Sequence, residues 1–266
     1  MENYELRAKA REALAGQWGI NAIITLFVYI ITTVIQGAVT RLFGFNATNS
    51  DGLLYLLVTY ALSLFILFAF SYGQNYIALE VANGQKAEIG DVFSIFNKKY
   101  YVPMMIFNLI SEVLNFLISL IIFVPIMLIF GFTAYMSFAF GGSTNGLTRL
   151  LNDGEISTST AIIFVVLILA VLVLFFIVSY IIAGVFKFAA WAKLENPEMP
   201  TLKALSYAWY LIKDRLGKYI LMNLSFIGWW IFCIFIIPVL WVVPYINTSL
   251  AEFYLNAKNE RDFMNV

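Results

Sequence analysis

Five stretches of this chain carry almost no charge over lengths that no small soluble domain could bury. Residues 17–40, 52–79, 156–186 and 219–251 contain no Asp, Glu, Lys or Arg, and 100–140 contains only Glu112. A helix needs about 20 mostly apolar residues to cross the hydrocarbon core of a bilayer, and each stretch exceeds that. Composition agrees: 62% of residues are hydrophobic and 12% charged, where a soluble domain is nearer half and a quarter. The expected fold class is all-α, a polytopic helical membrane protein of about six transmembrane helices with three amphipathic interface helices.

The first apolar stretch follows a charged opening, LRAKAREALAGQWGINAIITLF, with no Pro and no turn cluster between the halves. It runs too long for a cleavable signal, whose apolar region is roughly 7–15 residues, and no good Ala-x-Ala site follows. A retained first span is expected, entered from a helix that lies on the membrane surface. The six spans fall at about 18–41, 53–80, 101–140, 160–190, 219–236 and 239–257, in one integral membrane domain, 1–266. Two of these assignments need a further argument. As one helix, 219–257 would be roughly 60 Å long, twice the core thickness. A hairpin is therefore expected, turning near Ile236–Val243 with Pro238 and Pro244 as breakers. The 101–140 stretch is also too long, so it either kinks at Pro125 and Gly131 or begins in the interface.

Residues 41–52 and 141–159 are polar, Gly/Ser/Thr/Asn-rich loops. The other connections are charged and periodic. In 201–217 the apolar stripe is Leu202, Leu205, Trp209, Ile212 and Leu216; in 89–99 it is Ile89, Val92, Phe93 and Phe96; in 4–17 it is Leu6, Ala10, Ala13 and Leu14. Helical spacing of this kind predicts amphipathic helices, with the stripe toward acyl chains or the bundle and Lys/Arg toward headgroups. Each runs into a span through an aromatic residue, Trp18, Tyr100 or Tyr219, a residue type enriched at that depth. Interface helix, span and return span thus recur three times, a likeness of architecture rather than of residues.

Basic residues set the orientation. If the N-terminus, 81–99, 187–218 and the C-terminus share one side, that side holds all of the 16 Lys and Arg residues except Arg41 and Arg149. The positive-inside rule makes it cytoplasmic, which requires an even number of crossings.

Two segments, at the two ends, resemble a known family. The opening, with Leu6, Arg7, Arg11, Gly16 and Trp18, is similar to that of a domain-of-unknown-function family of integral membrane proteins from Gram-positive bacteria. The C-terminal part resembles that family's signature: Ser206 before a basic amphipathic helix, then Leu224, Ser225, Phe226, Ile227, Gly228 and Trp229, then Pro244–Tyr245 and Phe253–Tyr254. The resemblance covers about a third of the chain and departs in the middle, where 141–159 and 160–186 are longer than the family pattern. It implies a six-span protein of the bacterial cytoplasmic membrane and supplies no activity.

Residue inventory narrows the chemistry. The chain has no His and one Cys, Cys233, so a Ser–His mechanism, a Cys/His zinc cluster and an intrachain disulfide are excluded. No two acids stand at helical spacing in an apolar run, and no Ser stands out for a Ser–Lys pair, so no enzyme and no cofactor is expected. GGSTNG lacks the Lys and the preceding strand of a phosphate loop. Zero net charge argues against nucleic acid. The remaining candidate is a polar intramembrane face, Asn108, Glu112, Asn115 and Ser119, with Lys187 as a possible partner of Glu112. An ionisable group in a span is a functional candidate by default; its alternative is a structural pair or an interface position. Pro125 and Pro238 occupy loosely corresponding places, as broken helices in transporters do, or are ordinary kinks. Two functions stand: a non-catalytic membrane component with a partner, protection or scaffold role, or a small transporter or channel for an ion, peptide or lipid. Expected partners are the lipid bilayer, another membrane protein, or a small hydrophobic or peptide ligand.

Overall fold

The computed structural model describes residues 1–45, 52–141 and 158–264. The described residues contain helices and no strand. The expected loops at 41–52 and 141–159 lie mostly outside them. In chain order the helices are α1 (Asn3–Leu14), α2 (Trp18–Leu42), α3 (Leu53–Leu62), α4 (Phe68–Ala82), α5 (Lys98–Gly141), α6 (Thr158–Glu195), α7 (Thr201–Ile212), α8 (Leu216–Leu224), α9 (Ile227–Phe232) and α10 (Val239–Met264). By internal contacts the chain divides into two compact units, Met1–Ile110 with Ala183–Val266, and Ser111–Ile182.

Five runs are long and apolar enough to cross a membrane: Trp18–Leu42, Leu53–Ala82, Lys98–Val124, Val166–Glu195 and Thr201–Phe235. The remaining expected span, 239–257, lies in α10, which has the length, 26 residues, but carries Glu252 and, further on, Lys258, Glu260 and Arg261. Helix α5 is continuous through Pro125 and Gly131 over 44 residues, about 66 Å at 1.5 Å per residue.

In the first unit α10 is the hub, packed against α1, α2, α4 and α7. Helix α1 starts where the Glu5 carboxylate accepts the Glu2 N–H at 2.8 Å, a reach back that satisfies an orphan donor at the helix start. The opening segment is two helices, α1 at the place of the expected 4–17 interface helix and α2 at that of the first span. Gly16 breaks it at φ +78°, a left-handed conformation that glycine adopts without steric cost. The break lets α1 lie back on α10 through Leu6, Ala10 and Leu14, all fully buried. The expected stripe is correct, and its partner is the bundle.

The other two amphipathic segments differ from expectation. Residues 89–96 form a 3-10 helix, whose period of three buries Val92 and Ile95 and leaves Ile89, Phe93 and Phe96 partly exposed. It sits so close to α4 that a Cβ on Gly73 would lie 2.3 Å from the Val92 carbonyl oxygen. The 201–217 helix stops at Ile212 and resumes at Leu216 after a 3-10 turn. Its protein-facing side is Ala204, Ala208, Leu211 and Ile212, while Leu202 and Trp209 point outward. Small alanines allow the close approach; of the predicted stripe Ile212 is buried with them, while Leu202 and Trp209 are left for another medium.

The expected reversal near 236–243 is present, but tighter. It is made at Ile236–Pro238, with Ile236 at φ +62°. Pro244 is no breaker: it lies inside α10, costing the helix one backbone donor.

Between α3 and α4, residues Ser63–Leu67 form a π-turn, which displaces backbone carbonyls from regular pairing. Two polar side chains of α5 cover them: Tyr101 donates its hydroxyl to the Phe65 carbonyl, and Asn108 its amide to that of Leu64 at 3.4 Å.

In the second unit, Phe123 meets Phe175 edge-on at 5.5 Å. Large apolar residues such as Phe116, Ile121, Leu174 and Phe176 stay exposed, as helices that face lipid require.

Candidate functional site

The signature residues from the two ends of the chain meet around one side chain, Tyr245. Arg7 Nε and Arg11 Nη1 both donate to the Tyr245 hydroxyl, at 3.1 Å and 2.8 Å. The Arg7 guanidinium also lies 4.8 Å over the Phe226 ring. Rings of Trp18, Phe226 and Trp229 stand 6.1, 5.4 and 5.9 Å from that of Tyr245. An arginine cannot lose its charge, so a cation beside aromatic faces and a hydroxyl is held by hydrogen bonding and cation–π attraction together. Leu6 lies buried on the same helix as the two arginines, and Pro244 precedes Tyr245.

One to three turns along α10 a second cluster continues. Phe188 packs at 5.3–6.1 Å from Trp191, Tyr219, Phe253 and Tyr254. The Trp191 indole donates to the Asn75 carbonyl at 2.7 Å. Glu195 accepts from the Tyr254 hydroxyl at 2.6 Å and from Lys258 at 2.8 Å. At the polar end of the bundle, Glu260 accepts from Arg215, Asn256 and the N-terminal ammonium. Burial opposes ionisation of Glu260, but those donors outweigh it and hold its pKa at about 2. Arg261 pairs with Asp214, and Lys193, buried, donates to the carbonyls of Pro197 and Met199 at 2.6 Å each. The remaining signature positions stand apart. Ser206 bonds its own helix at Leu202, Ser225 caps α8 on the Met222 carbonyl, a Cβ on Gly228 would meet open space, and Leu224 and Ile227 are exposed.

Asn108, Glu112, Asn115 and Ser119, the predicted polar face, all stand on the continuous helix α5. Asn108 belongs to the first unit, where it covers the π-turn; Glu112, Asn115 and Ser119 belong to the second. Asn115 donates to the Ser111 carbonyl at 3.0 Å and Ser119 to that of Asn115 at 2.7 Å, so both are occupied by their own helix. Glu112 is half-buried and, within its unit, has no hydrogen-bond partner among the described residues. Lys187 donates to Asn247 at 3.0 Å, a partner that sequence spacing did not suggest.

Asn247 also borders a feature missed from sequence. Asn21, Thr25, Gln74, Pro244 and Thr248 line a cavity of about 10 Å³ between α2, α4 and α10, near the minimum for one water. Thr248 Oγ1 there is buried without a hydrogen-bond partner. A second space, an open groove of about 620 Å³, is bordered by Lys9, Glu12, Glu195, Glu252 and Lys258. Among the described residues no three His, Cys, Asp or Glu side chains gather as metal ligands would.

A family model described as "Protein of unknown function (DUF975)" matches residues 1–261. No curated protein and no solved structure matches.

Proposed function

The chain belongs to the DUF975 family of proteins of unknown function, and from that premise we propose that it is a non-catalytic component of the bacterial cytoplasmic membrane, with a partner, protection or scaffold role. The observation that carries this reading is the Tyr245 cluster. The residues that make the two chain ends recognisable are spent on closing the bundle, with Arg7, Arg11, Trp18, Phe226 and Trp229 packed on one tyrosine. They leave no convergent set of reactive groups. Both termini lie in the cytoplasm, on the side of the basic residues. The bilayer is the first partner: α7 turns Leu202 and Trp209 outward beside Lys203 and Lys213, an arrangement suited to an interface with anionic headgroups. Other partners are a membrane protein or a small hydrophobic or peptide ligand. No enzyme activity, no cofactor and no nucleic acid enters this reading.

The transporter or channel reading draws on Glu112, half-buried in an apolar helix. It is the weaker of the two, because Asn108, Asn115 and Ser119 each already donate a hydrogen bond to a backbone carbonyl. Reconstitution decides between them. In phosphatidylethanolamine/phosphatidylglycerol vesicles, wild type and Glu112→Gln should hold an imposed proton gradient as well as protein-free vesicles do. A leak carried by wild type and lost in Glu112→Gln would replace the non-catalytic reading with transport.

A further inference from the structure

We infer that residues 226–245 form a re-entrant hairpin, which enters the leaflet on the α1 side, turns at Ile236–Pro238 among acyl chains, and returns to the same side. This rests on the membrane reading above and replaces its last pair of crossings with none.

Depth is the first argument. Phe226 and Tyr245 are the two feet of the hairpin, and both are held by arginine. Arg7 and Arg11 bond the Tyr245 hydroxyl at 3.1 and 2.8 Å, and Arg7 covers Phe226 at 4.8 Å. Arginine at the bilayer centre is strongly disfavoured and reaches for the interface, so both feet stand near headgroup level. From Phe226 to Ile236 is ten residues, and from Ile236 to Tyr245 nine. At 1.5 Å per residue the tip lies at most about 15 Å deep, half of the roughly 30 Å core. If the arginines snorkel by a helical turn, the depth rises by about 5 Å and still falls short of the far side.

The second argument is what the tip is made of. Ile234, Phe235, Ile236 and Ile237 are 77, 73, 77 and 67% exposed. A hairpin that emerged on the far side would place this turn in water. Ile236 adopts φ +62° and ψ −54°, the positive-φ γ-turn conformation, which is rare and strained for any residue with a side chain. An isoleucine in such a position is explained by a medium that penalises polar side chains more than backbone strain.

Third, the turn leaves no N–H for water to satisfy. Ile236 donates to Cys233, Ile237 to Phe235, Val239 to Ile236, Leu240 to Ile237, and Trp241 and Val242 to Pro238; Pro238 has no N–H. Irregular backbone survives at hydrocarbon depth only when its polar groups are satisfied. Trp230 and Trp241, part-exposed on the two limbs, stand between tip and feet.

The hairpin preserves the charge asymmetry. With Trp18–Leu42, Leu53–Ala82, Lys98–Val124 and Val166–Glu195 as the four crossings, both termini remain on the basic side, because a re-entrant element adds no crossing.

Site-directed spin labels on the full chain test this, in a Cys233→Ser background and phosphatidylethanolamine/phosphatidylglycerol vesicles. Labels at 173 and 30 report whether the protein is embedded at all, and polar-relaxant access at both would defeat the membrane reading itself. With those two shielded, the label at 236 should show an oxygen-to-relaxant depth near the bilayer middle, deeper than labels at 230 and 241. A label at 236 open to polar relaxant, from either side, would overturn the hairpin. Ile236→Asn gives an independent check. It puts a polar amide in place of an apolar tip side chain, so a tip in water predicts an unchanged or higher Tm; a tip in acyl chains predicts a lower one.

Discussion

The first unit and the second, Ser111–Ile182, handle the same amino acids in opposite ways. In the first, outside the exposed hairpin, Phe188, Trp191, Tyr219, Phe253 and Tyr254 form a buried cluster, and charged residues of the 213–215 turn and α10 pair at its polar end. In the second, described side chains such as Phe116, Ile121, Leu174 and Phe176 face outward, Phe123 and Phe175 meet ring to ring, and Asn115 and Ser119 bond their own helix. Exposed phenylalanine is a liability in water and costs nothing in lipid, where no hydrophobic force drives helices together. The contrast assigns the two units different sources of cohesion: packing and charge-assisted bonds in one, the bilayer in the other.

The largest test of that contrast is a pair of identical substitutions. Phe188 is fully buried and Phe176 is 57% exposed. Phe188→Ala should cost about 3–5 kcal/mol, the range for a core phenylalanine, while Phe176→Ala should stay within about 0.5 kcal/mol, as surface changes do. Thermal unfolding in one detergent, read by circular dichroism, compares them. Equal losses would mean that the second unit is also held by packing.

Gly73→Ala comes next. Its new methyl would meet backbone, the Val92 carbonyl oxygen at 2.3 Å, which cannot swing away as a side chain can. The 89–96 helix must shift, at a cost of about 1–3 kcal/mol. A cysteine at Ser94 should then react faster with a soluble maleimide than in the parent; unchanged labelling and Tm would show that the two elements are not in contact.

The smallest effect concerns the polar end. Glu260 has a folded pKa of about 2 against an ordinary 4.5, because the bonds from Arg215, Asn256 and the N-terminal ammonium outweigh its burial. A depressed carboxylate pKa contributes stability that is fully present above pH 4.5 and is lost as pH falls from there toward 2. With 41% of its side chain exposed, solvent screening keeps the contribution modest. Glu260→Gln should therefore lower Tm slightly at pH 7, and the gap from wild type should close as pH falls toward 2. A gap that persists at pH 2 would trace to packing rather than charge.

Much of the fold was legible because hydropathy is a local property. Charge-free length alone placed α2, the α3–α4 run, α5 and α6 in a membrane, and the Leu6, Ala10, Leu14 spacing already named the face by which α1 docks. The π-turn was not legible, since nothing in SLFIL differs from ordinary helix; it becomes visible only with Tyr101 and Asn108 on its carbonyls. For the same reason the neighbours of Asn108 and Lys187, the Leu64 carbonyl and Asn247, could not be named from the sequence. In 89–96 the period was misread, because one turn of 3-10 helix and one of α-helix share several positions and only the contact with Gly73 separates them.

The sequence by itself determined the medium, the helical class and the two chain ends on which the family resemblance was read, all of which depend on neighbours within one or two turns. Only the tertiary structure decided what those ends are for. Arg7 and Tyr245 are 238 residues apart, and no local pattern marks one as the partner of the other. Their meeting required Gly16 to turn α1 back on itself, α10 to pass beside α2 and α4, and the chain to reverse at Ile236. A charged helix and a tyrosine after a proline are common features alone; together they fix the level of the bundle's polar end, because an arginine must stay where its charge can be solvated.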